Sequence, residues 1–417
     1  MTIPNALSGA GSIHANTLGT GTTSLLFTKA ASAFTGTING GPAAAGGGKV
    51  VLDNGVGVAA AVNVSNNATL YLRSGFNHTG TLRMEGGDTG EAIGQLRLEI
   101  NTTWSGPVTL AGDITTANDG FVGNNTAGTF GYVAGAIGEA GGSRELSKVG
   151  AGTIRLNGTN TYSGGTRFTA GVLDVPALSD LGPSGVGTGR FVFAGGTLRY
   201  SGLTDVTTAR AVTNAGNAGW EITNNVRLTL TGPMTGGGAL FKYGVGTWVW
   251  ASNQVASYGG WRIQRGTLIV DGVGYTNTTT AEEWLGNAAG DYSWLYLTNN
   301  SRIIKTAASW FQVAAIAGST GVVVMTDGFI HSANTTKGTL LGNQANTFGV
   351  LHQLGGSVYS GYEVDAGYGA ASAYGFYNLR GGSLSNASWI QACRTGLGLI
   401  YAQSGEINQL AAGQGIV

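Results

Sequence analysis

Four glycine pairs near the C-terminal end of the chain share one spacing of seven residues: Gly321 and Gly328, Gly349 and Gly356, Gly375 and Gly382, and Gly398 and Gly405. Each pair frames the same alternation. Val323, Leu351, Tyr377 and Ile400 lie two residues after the first glycine, and Ile330, Val358, Leu384 and Ile407 two residues after the second. Successive units begin 28, 26 and 23 residues apart. Alternation bounded by glycine predicts short, half-buried strands. A period in the twenties with no helical pattern between the strands predicts the stacked coils of a β-solenoid.

A longer repeat lies in the middle of the chain. The stretch at 146–175, LSKVGAGTIRLNGTNTYSGGTRFTAGVLDV, is echoed at 240–270 by LFKYGVGTWVWASNQVASYGGWRIQRGTLIV. Gly150 and Gly152 match Gly244 and Gly246 at an offset of 94, and Gly165 and Gly171 match Gly260 and Gly266 at 95. Trp248 and Trp250 thereby fall on the positions of Ile154 and Leu156, which are expected in the core, and Trp261 shares strand parity with Ile263. Helical signal is confined to two single turns. Thr280 and Glu283 have capping-box spacing before Gly286, and a second turn is expected at 176–181 before Gly182.

Composition agrees with this architecture and excludes others. Glycine supplies 75 of 417 residues, 42% of the chain is hydrophobic and only 10% is charged. Disorder needs the opposite balance, and collagen needs a strict glycine period with much proline. Zero net charge leaves no basic footprint for nucleic acid. No apolar run approaches the roughly 20 residues that span a bilayer as a helix, so membrane insertion is not expected. The single Cys393 excludes an internal disulfide framework and a multi-thiolate metal site. The first residues show no charged segment followed by an apolar one, as a secretion signal would. With about 24 residues per coil, one continuous solenoid would have about 17 coils stacked about 4.8 Å apart. Glycine would supply the positive φ angles at its corners, and asparagine the left-handed positions or side-chain ladders.

The phrases Lys-x-Gly-x-Gly-Thr at 148–153, Asn-Thr-Tyr-x-Gly-Gly-Thr at 160–166 and Gly-x-Leu-x-Val at 171–175 resemble the strand repeat of bacterial autotransporter passenger regions. The second copy keeps Lys242 and the glycines but not the Asn-Thr-Tyr phrase. The resemblance implies an all-β, right-handed parallel β-helix displayed on or released from a bacterial surface. It implies scaffold, not catalysis. The alternating strands of the membrane barrel that closes such proteins are not recognisable in this sequence.

Other parallel β-helices act on polysaccharides, which makes carboxylate pairs the first candidates for chemistry. Of Asp88 with Glu91, Glu282 with Glu283, and Glu363 with Asp365, only the last pair shares a strand face. It is expected to be solvated, with Tyr362 and Val364 turned inward. Arg302 and Lys305 are candidates to meet a sugar carboxylate, or simply a polar face. His14, His78, His331 and His352 have no metal-ligand spacing. The phrase GGDTG at 86–90 lacks the second copy that a calcium-binding roll requires. Seven of nine tryptophans fall between positions 220 and 310. With the three core positions set aside, Trp220, Trp284, Trp294 and Trp310 remain as candidate glycan contacts, together with Glu363 and Asp365.

The sequence therefore predicts one continuous solenoid with N-terminal coils at 1–135, passenger-type repeats at 136–310 and short-period coils at 311–417. No cofactor, metal or catalytic residue is expected. The expected role is that of a non-catalytic, extracellular structural protein: a stalk, adhesin shaft or filament subunit that self-associates end to end or belongs to a longer parent chain. The alternative is a carbohydrate-binding or carbohydrate-active β-helix that meets surface glycans.

Overall fold

A computed structural model describes residues 2–4, 6–15, 24–28, 34–41, 48–55, 59–73, 75–87, 91, 93–112, 120–124, 126–184, 189–252, 255–257, 259–411 and 414–417. The chain divides into two compact units, Met1–Gly202 and Leu203–Val417. Asp88, most of the GGDTG phrase and part of the loop before Tyr258 lie outside the described residues.

Each unit is an all-β solenoid of short parallel strands. In the first, one sheet runs from Thr2–Ile3 to Phe191–Phe193, a second of six strands from Ser12–Ala15 to Ile137–Glu139, and a third from Asn77–His78 to Thr197–Tyr200. In the second unit, a nine-stranded sheet runs from Val206–Thr208 to Leu397–Ala402 and a seven-stranded sheet from Val255–Ser257 to Glu406–Gln409. The third face of that unit extends from Ala218–Ile222 to Ile390–Ala392. A representative coil enters as Phe348–Gln353, turns at Gly356 (φ 71°), continues as Ser357–Ser360 and closes through Val364–Ala366.

The glycine phasing gives the register residue for residue. Val323 pairs with Leu351, Leu351 with Tyr377 and Tyr377 with Ile400, while Ile330, Val358, Leu384 and Ile407 form the matching file on the next face. The two glycines of a pair do different work. Gly349, Gly375 and Gly398 lie inside strands, where a Cβ would sit 2.3, 2.3 and 2.1 Å from backbone atoms of Gly342, Gly367 and Ala366. Gly328, Gly356 and Gly382 make the corners with φ of 81°, 71° and 78°. Asparagines play both expected parts: Asn54, Asn67, Asn101, Asn299, Asn300 and Asn346 have positive φ, and Asn63 donates to Asn39, its strand partner, at 2.9 Å.

The conserved look of the longer repeat has a mechanical cause. Lys148 turns inward and its ammonium donates to the carbonyls of Val149, Gly150 and Ala170 at 2.7, 2.8 and 3.0 Å. Lys242 does the same to Tyr243, Gly244 and Arg265 at 2.7, 2.8 and 3.0 Å. Each lysine ties a corner of its own coil to the corner of the next. Gly171 and Gly266 open those next corners with φ of 60° and 75°, and a Cβ on Gly171 would lie 2.5 Å from the carbonyl oxygens of both Gly150 and Gly152. Burial pushes both lysines down to about 7 even though three carbonyls face each amine.

Trp248, Trp250 and Trp261 are buried as their alignment predicts. One of the expected helical turns forms, as a 3-10 turn at Leu178–Leu181 in which Asp180 accepts from the Ala177 N–H at 3.0 Å. The other does not. Glu283–Leu285 is a strand, held between Trp261–Ile263 and Phe311–Val313, because Glu283 is required inside. There it meets Lys305 at 2.5 Å, and neither side chain has exposed surface. The polar-face expectation for Lys305 is thus overturned, whereas Arg302 remains exposed, over the Phe329 ring at 5.3 Å.

Candidate functional site

The residues singled out by sequence separate into three places. Trp220 is fully buried, stacked on Trp248 with ring centroids 4.9 Å apart and planes 11° from parallel. Its place in the tryptophan stack corrects its candidacy as a surface contact: the inward parity of Ala218–Ile222 carries it into the core.

Trp284, Trp310, Glu363 and Asp365 come together on one outer face of the second unit. The strands Trp261–Ile263, Glu283–Leu285, Phe311–Val313, Thr339–Leu341, Val364–Ala366 and Ile390–Ala392 stack Arg262, Trp284, Gln312, Leu340, Asp365 and Gln391 in one outward file. Residues two positions earlier lie on the same side of the sheet, which brings up Glu282, Trp310, Gly338 and Glu363. Gly338 must lack a side chain, since a Cβ there would meet the Glu363 carbonyl at 1.8 Å.

The aromatic and charged groups of this face engage one another. Arg262 lies over the Trp284 ring at 4.4 Å, and Glu282 accepts from Trp284 Nε1 at 2.7 Å and from Gln312 Nε2 at 2.5 Å. Trp310 has Lys337 over its ring at 5.0 Å and packs against Tyr362 and Tyr368 at 6.0 and 6.1 Å. Arg394 bonds Glu363, approaches Asp365 at 3.8 Å and lies 5.0 Å from the Tyr368 ring centre. The expectation that Glu363 and Asp365 are solvated is therefore wrong. Val364 turns inward as expected, but Tyr362 stays half-buried on the outside.

Asp365 has no exposed side-chain surface, and neither of its oxygens accepts a hydrogen bond among the described residues. Burial, and then the Glu363 charge, push its carboxyl up to about 7 against the pull of Arg394. Glu363 likewise holds the Tyr362 hydroxyl above its ordinary value. Chemically this is a proton-holding pair sealed beneath a guanidinium, not two carboxylates facing across an open cleft. Sequence inspection missed Arg394, Tyr368 and Lys337, which roof the face from separate turns. No spacing links Arg394 to an acid 31 positions earlier.

Trp294 occupies the third place, on the nine-stranded sheet. Tyr292–Thr298 alternates outward and inward, so Tyr292 and Trp294 emerge with 64% and 40% of their surface exposed. Trp294 stacks on Tyr296, with centroids 6.3 Å apart and planes 13° from parallel. His331 and His352 sit on different sheets, on Phe329–Ser332 and Phe348–Gln353.

Comparison with known proteins adds three findings. Residues 146–175 match the family model of the passenger-associated-transport-repeat. The chain is 35% identical over 151 residues to the adhesin BmaC autotransporter of Brucella suis biovar 1 (strain 1330), a stretch covering 36% of this chain and 4% of that protein. No solved structure matches.

Proposed function

We propose that this chain, which carries the passenger-associated transport repeat, is a shaft segment of an adhesin-like passenger on a bacterial surface, mechanical in role and without catalysis of its own. The observation that carries this reading is the coil-to-coil register of parallel strands within each unit. In such a solenoid each coil contacts only its neighbours, and length grows by about 4.8 Å per coil without change of design. A protein built this way sets distance. The similarity to an autotransporter adhesin of Brucella supports the surface assignment. The sealing of Asp365 and the engagement of Glu363 by Arg394 support the non-catalytic one.

End-to-end association belongs to the same proposal. Among the described residues the strand Leu397–Ala402 is the last of the nine-stranded sheet, and its unpaired backbone edge is what a further coil, from the same parent or from another copy, would cover. Negative-stain electron microscopy of the purified chain over a concentration series tests it. Rods that lengthen in steps of one chain as concentration rises are the expected result. Compact particles would refute the shaft, and rods of one fixed length would refute self-association.

A further inference from the structure

A cavity of about 480 Å³ on the second unit is built from three successive coils: Val245 from the first, Arg265, Gly266 and Thr267 from the second, and Gly290, Tyr292 and Trp294 from the third. Strand register fixes its width, since Thr267 pairs directly with Trp294. The volume falls in the range of small-ligand sites, roughly 300–1,000 Å³.

Exposed rings recur along this sheet, at Phe348, Tyr374 and Tyr401 as well, but this cavity sets two of them beside an arginine. The two are Tyr292 and Trp294, and a concave pair of exposed aromatics is more informative than a scattered apolar residue. The stack on Tyr296 holds the Trp294 ring in place before any ligand arrives. Arg265 is exposed and its guanidinium makes no hydrogen bond or ion pair among the described residues. The neighbouring acid, Asp291, is 3% exposed and accepts from the N–H groups of Asn287 and Ala288 at 3.0 and 2.7 Å, and the Arg265 charge acts on its carboxyl without closing an ion pair. The Arg265 main chain is anchored separately, because its carbonyl accepts from Lys242. At Gly290 (φ 79°) no atom lies within 4 Å of where a Cβ would stand, so that side of the cavity is open to entry.

These groups define a ligand by exclusion. A planar guanidinium with unspent donors selects an oxyanion and grips a planar carboxylate through two parallel bonds. Ring faces beside it select a flat body with apolar C–H surface and polar edges. The Thr267 hydroxyl serves such an edge. A simple carboxylate would leave the rings idle, and a neutral sugar would leave Arg265 idle. We propose that this cavity binds a pyranose carrying a carboxylate, of the uronate or sialate class, as part of a surface glycan. The site goes beyond the shaft role and does not depend on it, since a shaft with bare flanks would still be a shaft.

Isothermal titration calorimetry of the whole chain with 3′-sialyllactose, a hyaluronan tetrasaccharide and lactose tests the proposal. One of the two acidic probes, which distinguish the sialate from the uronate source, is expected to bind, with lactose at least about tenfold weaker. Arg265→Gln and Trp294→Ala should each lower affinity about tenfold or more, and Arg265→Lys and Trp294→Phe should recover part of it. Raising salt should weaken the acidic probe. Unchanged hydrogen exchange in Gly266–Asp271 and Tyr292–Thr298, the strands that carry the cavity, will show that the variants fold there. Absence of binding by both acidic probes, lactose binding as tightly, or indifference to Arg265→Gln and Trp294→Ala in folded protein would each overturn the proposal.

Discussion

The sharpest energetic test concerns Glu283 and Lys305, an ion pair at 2.5 Å inside the second unit with no exposed surface on either partner. Glu283 also accepts from Tyr275 Oη at 3.1 Å and Asn277 Nδ2 at 2.5 Å, so its charge is held by two hydrogen bonds and the ammonium. Lys305→Met keeps the packed stem and removes the counter-charge. The carboxylate that stays behind is buried and uncompensated, which costs about 3–5 kcal/mol. The double variant Glu283→Gln/Lys305→Met removes the stranded charge and should recover most of that loss. Because coils of a solenoid open locally, a single unfolding midpoint is a poor readout. Native-state hydrogen exchange is better. In Lys305→Met the amides of Arg302–Lys305 and Glu283–Leu285 should exchange roughly 10²–10⁴ times faster, at about 1.4 kcal/mol per factor of ten. Those of Ser383–Asn386, three coils further along the same sheet, should be unaffected. A loss below about 1 kcal/mol, or a double variant no better than the single one, would refute the claim that the two charges depend on each other.

Four further outcomes are expected. Lys148 and Lys242 have folded values near 7 against an ordinary 10.5, so the unfolded chain binds more protons between those limits and stability should rise with pH across that window. Denaturant titrations from pH 7 to 10.5 should show the rise in the wild type and a shallower one in Lys148→Met. Asp365 is shifted the opposite way, from 3.8 to about 7, so the folded chain binds more protons and local stability should fall as pH climbs from 4 to 7. Asp365→Asn should flatten that fall in hydrogen exchange of Val364–Ala366. Gly171→Ala places a Cβ 2.5 Å from two carbonyl oxygens at a φ of 60°, and calorimetry should report a loss of at least about 1–3 kcal/mol. Gly290→Ala meets no atom within 4 Å and should cost only the positive-φ strain of about 1 kcal/mol.

What could be read from sequence was set by strand alternation. Period two assigns faces, so the files through Leu351 and Val358 and the burial of Trp248 and Trp250 followed from glycine phasing and internal alignment alone. Alternation also gives Lys305 the inward parity of Ile303, yet charge argued for water, and nothing in the linear order announces Glu283 on another sheet as its partner. The same blindness hid the roof over Asp365. Parity correctly put Glu363 and Asp365 outside. Whether an outward residue is wet depends on which corner residues fold over it, and Arg394 and Tyr368 come from turns with no recognisable phrase. Trp220 failed as a candidate for the reverse reason, since its strand lacks the glycine frame that would have fixed its parity.

Stacked register also dictates where such a molecule can hold function. On one face of the second unit the inward file reads Ile263, Leu285, Val313, Leu341, Ala366 and Ala392, while the outward file beside it reads Arg262, Trp284, Gln312, Leu340, Asp365 and Gln391. The inward file is chemically uniform because each side chain lies on its equivalent in the next coil, and a change of volume in one coil is felt by two neighbours. The outward file has no such constraint. Recognition can therefore be written on outward positions and corners, as at Arg265 and Trp294, without disturbing the coils that set length. A polar residue that does enter the interior must bring its partner from another strand of the stack, as Glu283 brings Lys305. The interior thus stores the information for distance and the flanks the information for contact. Selection can act on the second while the first stays fixed.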